Sequence, residues 1–471
     1  MLTKVNSLPQ KHFPAVPEEA WLLPLVVLAG ALIGLLPTAG VAVVVLGGIA
    51  VFLILVKQEY GVYLLVFAVP FGSLREVQIG PLSASGTEFL IGVTAISWAA
   101  RLAARRDLKI SFTSLSWPLA MFIGILLASA AAALSLALSL KEVSKWLELL
   151  LVFLLVVNLV DRRRQVTVIF VCLALASFLQ AIMGWYQFLS RSGPPSFLIG
   201  EHFLRAYGTF GQPNPYAGYL VFSVSMLCGL LITAVAYRRV GKSLLSFGIF
   251  MGTAIVVLLA VLMSFSRGAW LALFVALCVI AVIASRRALG YLSLLFFVGV
   301  LLLTLGAFQL VPAAAVERLS VVTESFSLFD ARGVAPTDEN WAIVERMANW
   351  QSSWEMFLDN PIMGVGIGNF SLFYPDYALP GWDVPTLHAH NFYLNLLAEG
   401  GVLGLIGYTI FMVSVFVFVC RTLAGRRANE ENAALVSRKG VAIGVIGAMV
   451  ALSVHNLFDN LYVHSMNAQV G

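Results

Sequence analysis

The sequence predicts an all-α, polytopic integral membrane protein with 12–13 transmembrane helices and one large external segment that contains an amphipathic helix. Three observations carry this expectation. Hydrophobic residues make up 60% of the 471 and charged residues only 11%, against about 25% charged in an ordinary soluble domain. The apolar runs extend over about 15 to 26 residues, the length of membrane helices and not of ten-residue barrel strands. Short basic connectors separate these runs at even intervals, as a single cytoplasmic side demands. In a bilayer every backbone polar group is satisfied within the fold, which leaves helices as the spanning element.

Taken in order, residues 1–20 combine Lys4 and Lys11 with Pro14, Pro17, Glu18 and Glu19 and lack a small-residue cleavage site. The first apolar run, 21–36, therefore reads as an anchor and not as a signal peptide. Run 39–56 ends at Lys57; run 60–72 is short and carries Pro70, so it decides between 12 and 13 spans. Run 88–104 leads into Arg105, Arg106 and Lys109. Runs 115–140 and 143–160 form a pair closed by Arg162, Arg163 and Arg164. Runs 165–190 and 213–236 lead to Arg238, Arg239 and Lys242, and runs 243–266 and 268–284 to Arg286 and Arg287. Run 289–311 opens the long external segment 312–390, after which runs 391–420 and 440–463 flank Arg421, Arg426, Arg427, Arg438 and Lys439. The chain thus falls into 1–311 with helices 1–11, the segment 312–390, and the C-terminal helices of 391–471. No internal repeat is visible, which disfavours a transporter built from related halves.

The inner side holds 20 of the 29 Lys and Arg and 7 of the 24 Asp and Glu, a sum of +13; the outer side holds the rest, a sum of −8. The net charge of +5 is therefore a topology signal, and no nucleic-acid partner is implied. All four cysteines, Cys172, Cys228, Cys278 and Cys420, lie in apolar runs, with no disulfide framework or CxxC metal motif.

The external segment is too aromatic for disorder. Within it Trp341, Ile343, Val344, Met347, Trp350, Trp354 and Phe357 recur at helical spacing, with Glu345, Arg346, Asn349, Ser352 and Glu355 between them. This pattern reads as an amphipathic helix on the outer membrane boundary, with an aromatic shelf for sugars as the alternative.

Once topology is accounted for, few charges remain, and those of interest face outward. Arg205 stands before the run at 213, Arg267 in the tight turn SFSRGAW, and Arg346 on the amphipathic helix. External arginines are exceptions to the positive-inside rule, and each either snorkels to a lipid headgroup or binds a phosphate-bearing substrate through its guanidinium fork. His388 and His390 close the external segment, and His390 stands at the membrane mouth as a general base or as an interfacial His bonded to backbone. The H-x-H pair lacks an evident third metal ligand, so no metal and no cofactor are expected. His455 and Asp459 share one helical face at i and i+4, where they orient one another or Asp459 fixes an arginine. Glu399, beside Gly400 and Gly401, pairs with a cation or caps an unwound turn.

At this point the residues resemble a known family. HNFYLNLLAEGGVLG fits the pattern His-Asn, nine residues, Gly, two residues, Gly of O-antigen ligases, with His390, Asn391, Gly401 and Gly404 in place. RAYGTFGQPNPYAGYL, SFSRGAWLAL and RMANWQSSWEMFLDNPIMGVGIGNF resemble the same superfamily of ligases and polymerases, over roughly residues 200–410. The resemblance implies a metal-independent membrane glycosyltransferase of the bacterial inner membrane with its active site facing the periplasm. It would move an O-antigen from undecaprenyl diphosphate to lipid A-core oligosaccharide. It also implies that His390 is the base and that Arg205 and Arg267 hold the diphosphate. Beside it, the residues themselves offer Arg346, His388, Asn391, His455 and Asp459 as further substrate-binding or orienting candidates. A polymerase or a protein oligosaccharyltransferase would share the donor. A non-enzymatic exporter or flippase is the alternative of another class, and it would require ionisable residues along a path through the membrane, for which Glu148 and Glu399 are the only candidates.

Overall fold

The computed structural model describes residues 38–72, 76–79, 82–106, 109–199, 203–236, 244–284, 287, 290–291, 293–294, 297, 329–335, 337, 340–382, 387–425 and 436–462. The predicted spans 21–36 and nearly all of 289–311 lie outside them. The chain divides into the units Met1–Lys57 and Gln58–Gly471. In the first, α1 (Thr38–Val56) is an apolar helix without a charged residue.

In the second unit, α2 (Glu59–Ala68) is followed by a two-stranded antiparallel hairpin, β1 (Glu76–Ile79) and β2 (Leu82–Ser85), in the register Glu76 to Ser85. Helix α2 climbs along a later helix: Glu59 accepts from Gln165 and the Pro70 carbonyl from Gln180, 15 residues further on and therefore about 22 Å higher. Helix α3 (Gly86–Arg105) begins with a capping box, Glu88 N donating to Ser85 Oγ and Ser85 N to Glu88 Oε2, and ends at Arg106 in the left-handed region, φ 53°.

Sequence placed one turn wrongly here. Runs 115–140 and 143–160 are in fact α4 (Ser116–Ser129), a 3₁₀ turn Ala130–Ala132, and α5 (Leu136–Leu159). The turn is made of alanines, so it carries no hydropathy signal. Ser135 caps α5 by accepting from Leu138 N. Lys145 pairs with Glu142 at 2.6 Å, so these charges lie on the helix instead of marking a loop.

Next come α6 (Arg163–Ser190), a short hairpin β3 (Leu198–Ile199) and β4 (Phe203–Leu204), α7 (Pro213–Ala236), α8 (Leu244–Met263) and α9 (Arg267–Ala284). In the external segment α10 (Trp341–Asp359) is followed by α11 (Phe370–Tyr377). Helices α12 (Phe392–Ala424) and α13 (Arg438–His455) complete the order. Among the described residues six helices, α6 to α9, α12 and α13, are long and apolar enough to cross a membrane, and the protein is a multi-pass membrane protein.

Helix α7 is the central post, with α6, α8, α9 and α13 around it. It meets α13 backbone to backbone: a Cβ on Gly229 would stand 2.3 Å from Gly444 N, the small-residue contact by which membrane helices gain packing where lipid offers no hydrophobic drive. A second cluster joins α4, α5 and α12 through Phe122, Trp146, Phe392, Tyr408 and Tyr462, with Phe392 4.8 Å from Tyr408 and 4.9 Å from Tyr462.

Helix α10 is amphipathic, as its spacing predicts, and its apolar face is covered by protein. Ile343, Val344, Met347, Ala348 and Met356 are buried against protein, with Leu379 and Trp382 on one side and Phe370, Tyr374 and Ala398 on the other. Trp354 and Leu358 form a separate exposed face. Ser352 and Ser353 fit the buried face because each hydroxyl donates to the carbonyl four residues back.

Candidate active site

Between α8 and α9 the chain turns in three residues, Ser264 to Ser266. Ser266 N donates to Ser264 Oγ, Trp270 Nε1 donates to Val261 O, and Phe265 takes the left-handed region, φ 51°. This turn makes Arg267 the first residue of α9, at the positive end of a helix. The strand β4 is stitched to the same turn: Ala206 N donates to Met263 O and Arg205 Nε to Ser264 O, 2.9 Å. The two arginines predicted from sequence therefore share one backbone scaffold although 62 residues separate them.

From Arg205 two hydrogen bonds and one charge contact cross to the histidine. Arg205 Nη2 donates to Asn214 Oδ1 at 3.0 Å, and Asn214 Nδ2 donates to Asp459 Oδ2 at 2.7 Å. Asp459 Oδ1 lies 3.5 Å from His390 Nδ1. Asn214 was not singled out from sequence. Its signal is a polar residue between Pro213 and Pro215 at the start of an apolar helix, where its amide both accepts and donates.

His390 is itself in the left-handed region, φ 51°, costly for a residue with a Cβ. Its surroundings over-determine it. His390 N donates to His388 Nδ1, and the rings stand edge to face at 4.5 Å. Ala389 N donates to Asn395 Oδ1. Asn391 caps α12, accepting from Tyr393 N and Leu394 N, and Phe392 N donates to Asn456 O. Asn391 thus orients the histidine's element through the backbone.

Beneath this, α12 breaks at Gly401, φ 62° and ψ −166°, which corrects the expectation of one continuous span. The break is held by the loop Gly364–Asn369. Val365 N and Gly366 N donate to the carbonyls of Ala398 and Glu399, and Phe370 N donates to Glu399 Oε1. Glu399 Oε2 accepts from Asn395. Of the two sequence readings of Glu399, it is the cap that the geometry supports. The glycine-rich loop looks like a phosphate cradle, but Val365 N and Gly366 N are spent on this clamp, and Gly364 N, Ile367 N and Asn369 N on Asn360 O, Ser129 Oγ and Gly366 O.

The last predicted span is also shorter than expected. Helix α13 ends at His455, and Asp459 lies in the turn beyond it, so the two do not share a helical face. The turn frees the Asp459 carboxylate to meet Asn214, Asn460 N and His390. Asp459 therefore fixes an arginine, as one reading of the sequence had it, but through Asn214. His455, buried at the end of α13, packs against Gly268 at the start of α9, 3.1 Å from a Cβ placed there.

Burial alone would push the Asp459 carboxyl up, but the hydrogen bond from His390 and the charges of His388, His390 and Arg346 hold it well below the usual carboxylate range. Burial dominates at His388 and lowers it to about 4 against the pull of Asp459. Arg346 of α10 acts on Asp459 through its charge alone.

The H-x-H pair does find a third ligand. Donor atoms of His388, His390 and Asp459 lie within 4.8 Å of one another, 71 residues apart along the chain at the widest. Sequence spacing concealed Asp459 because it belongs to a different helix end. Three ligands suit a borderline divalent ion, while Arg205 and Arg346 make the mouth electropositive and oppose a cation.

Residues 252–409 match the family profile described as O-antigen ligase. That matched segment is about a third of the chain, and over it the chain is similar to O-antigen ligases. A stretch of 118 residues is 27% identical to the teichuronic acid biosynthesis protein TuaE of Bacillus subtilis (strain 168), covering 24% of this chain and 22% of that protein. The match therefore spans about a fifth of that relative's length. The ligase-family segment contains Arg267, Arg346, His388, His390, Asn391 and Glu399, whereas Arg205, Asn214, His455 and Asp459 lie outside it.

Proposed function

We propose that this protein acts as the O-antigen ligases it resembles over residues 252–409, as a metal-independent, inverting glycosyltransferase of the bacterial inner membrane with its site on the periplasmic face. It transfers an O-antigen from undecaprenyl diphosphate to a hydroxyl of lipid A-core oligosaccharide. The observation that carries this reading is the polar chain from Arg205 through Asn214 to Asp459 by hydrogen bonds, and from Asp459 to His390 by a 3.5 Å charge contact. It joins a phosphate-binding cation to a base at one end of a membrane bundle.

In this reading the acceptor oxygen attacks the anomeric carbon as the bond to the diphosphate oxygen breaks. The diphosphate leaves with the electron pair, and Arg205 and Arg267 neutralise the charge it develops. The acceptor proton passes to His390 Nε2, because Nδ1 faces Asp459, whose carboxylate orients the ring and stabilises the imidazolium. A diphosphate is already a competent leaving group, so positioning and charge suffice without metal. A polyprenyl-diphosphate glycan is offered to the reconstituted protein with lipid A-core, a second donor or an acceptor protein in turn. Transfer to lipid A-core with inverted configuration is expected; a retained configuration or a transfer unaffected by His390→Ala overturns the mechanism.

A second reading, in which a growing glycan is the acceptor, is favoured by the relative's name, which refers to biosynthesis of teichuronic acid. The same assay separates the two. The exporter reading loses support because Glu399 is tied to Phe370 N and Asn395 within the fold.

A further inference from the structure

Both arginines stand two residues after a phenylalanine, in Phe203-Leu204-Arg205 and Phe265-Ser266-Arg267. The two rings stack, centroids 6.3 Å apart and planes 24° apart. Phe188 of α6 joins them at 5.6 Å from Phe203 and 6.2 Å from Phe265, with interplanar angles of 13° and 16°. Three nearly parallel rings from three elements thus stand beside the turn to which Arg205 is hydrogen-bonded and from which Arg267 follows. Phe188 and Phe203 are only half-buried. The helices next to the stack, α6 with Phe188 and α8 just before Phe265, present apolar residues outward: Leu189 is 70% exposed and Leu262 46%. The stack therefore lies between a cationic mouth and an apolar flank, on helices long enough to cross a membrane.

A polyprenyl diphosphate has the same order of chemistry: a charged diphosphate, one flat allylic isoprene unit, then a long apolar tail. We propose that Phe188, Phe203 and Phe265 seat the isoprene unit next to the diphosphate, so that the protein reads the lipid carrier at its first unsaturated unit. The proposal rests on the reading of Arg205 and Arg267 as a diphosphate clamp. A trisubstituted alkene is planar and lays a face, with its polarised allylic C–H groups, on an aromatic ring. A saturated chain of equal length offers no such face and keeps only the area it buries.

The test is binding, with the full-length protein in amphipol and no glycan present. Farnesyl diphosphate, dodecyl diphosphate and inorganic diphosphate are titrated by calorimetry. The wild type is expected to bind farnesyl diphosphate roughly 3- to 10-fold more tightly than dodecyl diphosphate, the gain typical of a ring-face contact beyond area. Phe188→Leu with Phe203→Leu retains apolar volume and removes the rings. It is expected to erase that preference while binding inorganic diphosphate as the wild type does, which also reports an intact fold. Phe265 is left unchanged because of its backbone. Equal binding of the two lipids by the wild type, or a preference that survives in the double variant, overturns the seat. A prenyl preference in a protein that transfers no glycan overturns the proposed function and leaves the seat standing.

Discussion

At the residue scale the site depends on His390 being held in a conformation it does not favour, next to a carboxylate it cannot lose. Replacing His390 by Ala removes the proton acceptor and is expected to lower transfer by about 10²–10⁴-fold with donor binding retained, measured by kcat and KM separately. Asp459→Asn keeps a partner for Asn214 but removes the charge behind the imidazolium, so kcat falls while KM for the donor changes little. Two pH windows follow from the same residues. His388 is lowered to about 4, so the unfolded chain takes up its proton first, and stability falls as pH drops from about 6.5 toward 4. Asp459 is depressed, so its contribution is present above the ordinary carboxylate value and is lost only as pH falls below about 4. Thermal melts between pH 7 and 3 should show His388→Gln flattening the upper part of the Tm profile and Asp459→Asn the lower. The histidines and arginines were legible in sequence because charge is scarce and each is an exception to topology. Asn214 was not, since its role exists only where the start of α7 meets the turn after α13.

At the element scale the decisive feature is the clamp between the loop Gly364–Asn369 and the broken helix α12. A Cβ on Gly401 would stand 2.3 Å from Ile362 O, at a positive φ that L residues avoid. Gly401→Ala is therefore expected to cost about 2–5 kcal/mol, read as a lowered Tm in thermal melts of the purified protein. Glu399→Gln, which can still accept from Phe370 N but loses the bond from Asn395 to Oε2, should be milder than Glu399→Ala. Sequence located most of the helices to within a few residues, because a span is written in its hydropathy. It missed the break in α12 and the alanine turn before α5 for the same reason: a largely apolar helix of 33 residues has one hydropathy whether or not it bends. The hairpin β1 and β2 was missed because four-residue strands carry no periodic signal of their own.

At the scale of the whole molecule, hydrogen bonds tie the helix ends together on two sides. The ends of α7, α8, α9, α12 and α13 meet at the arginines and His390, while Arg163 at the start of α6 donates to Val436 O just before α13. If the second set is cytoplasmic, as the basic connectors require, a cysteine introduced at Leu387 reacts with an impermeant thiol reagent in intact cells with the outer membrane permeabilised. One at Arg106 reacts only after lysis; the reverse pattern rejects the orientation. Charge made the sides legible, but nothing in hydropathy says which helix ends touch. Contact between Asn214 and Asp459 joins positions 245 residues apart.

That separation bears on how such proteins can be recombined. The stretch by which the family is recognised, 252–409, supplies the proposed base and one cation, but the carboxylate behind the base and the other cation come from sequence on either side of it. The recognisable segment is thus a signature and not a transplantable part. A chimera that exchanges it between relatives is expected to fold and stay silent unless the residues at 205, 214 and 459 travel with it, and restoring those three together should revive more activity than the sum of restoring each alone.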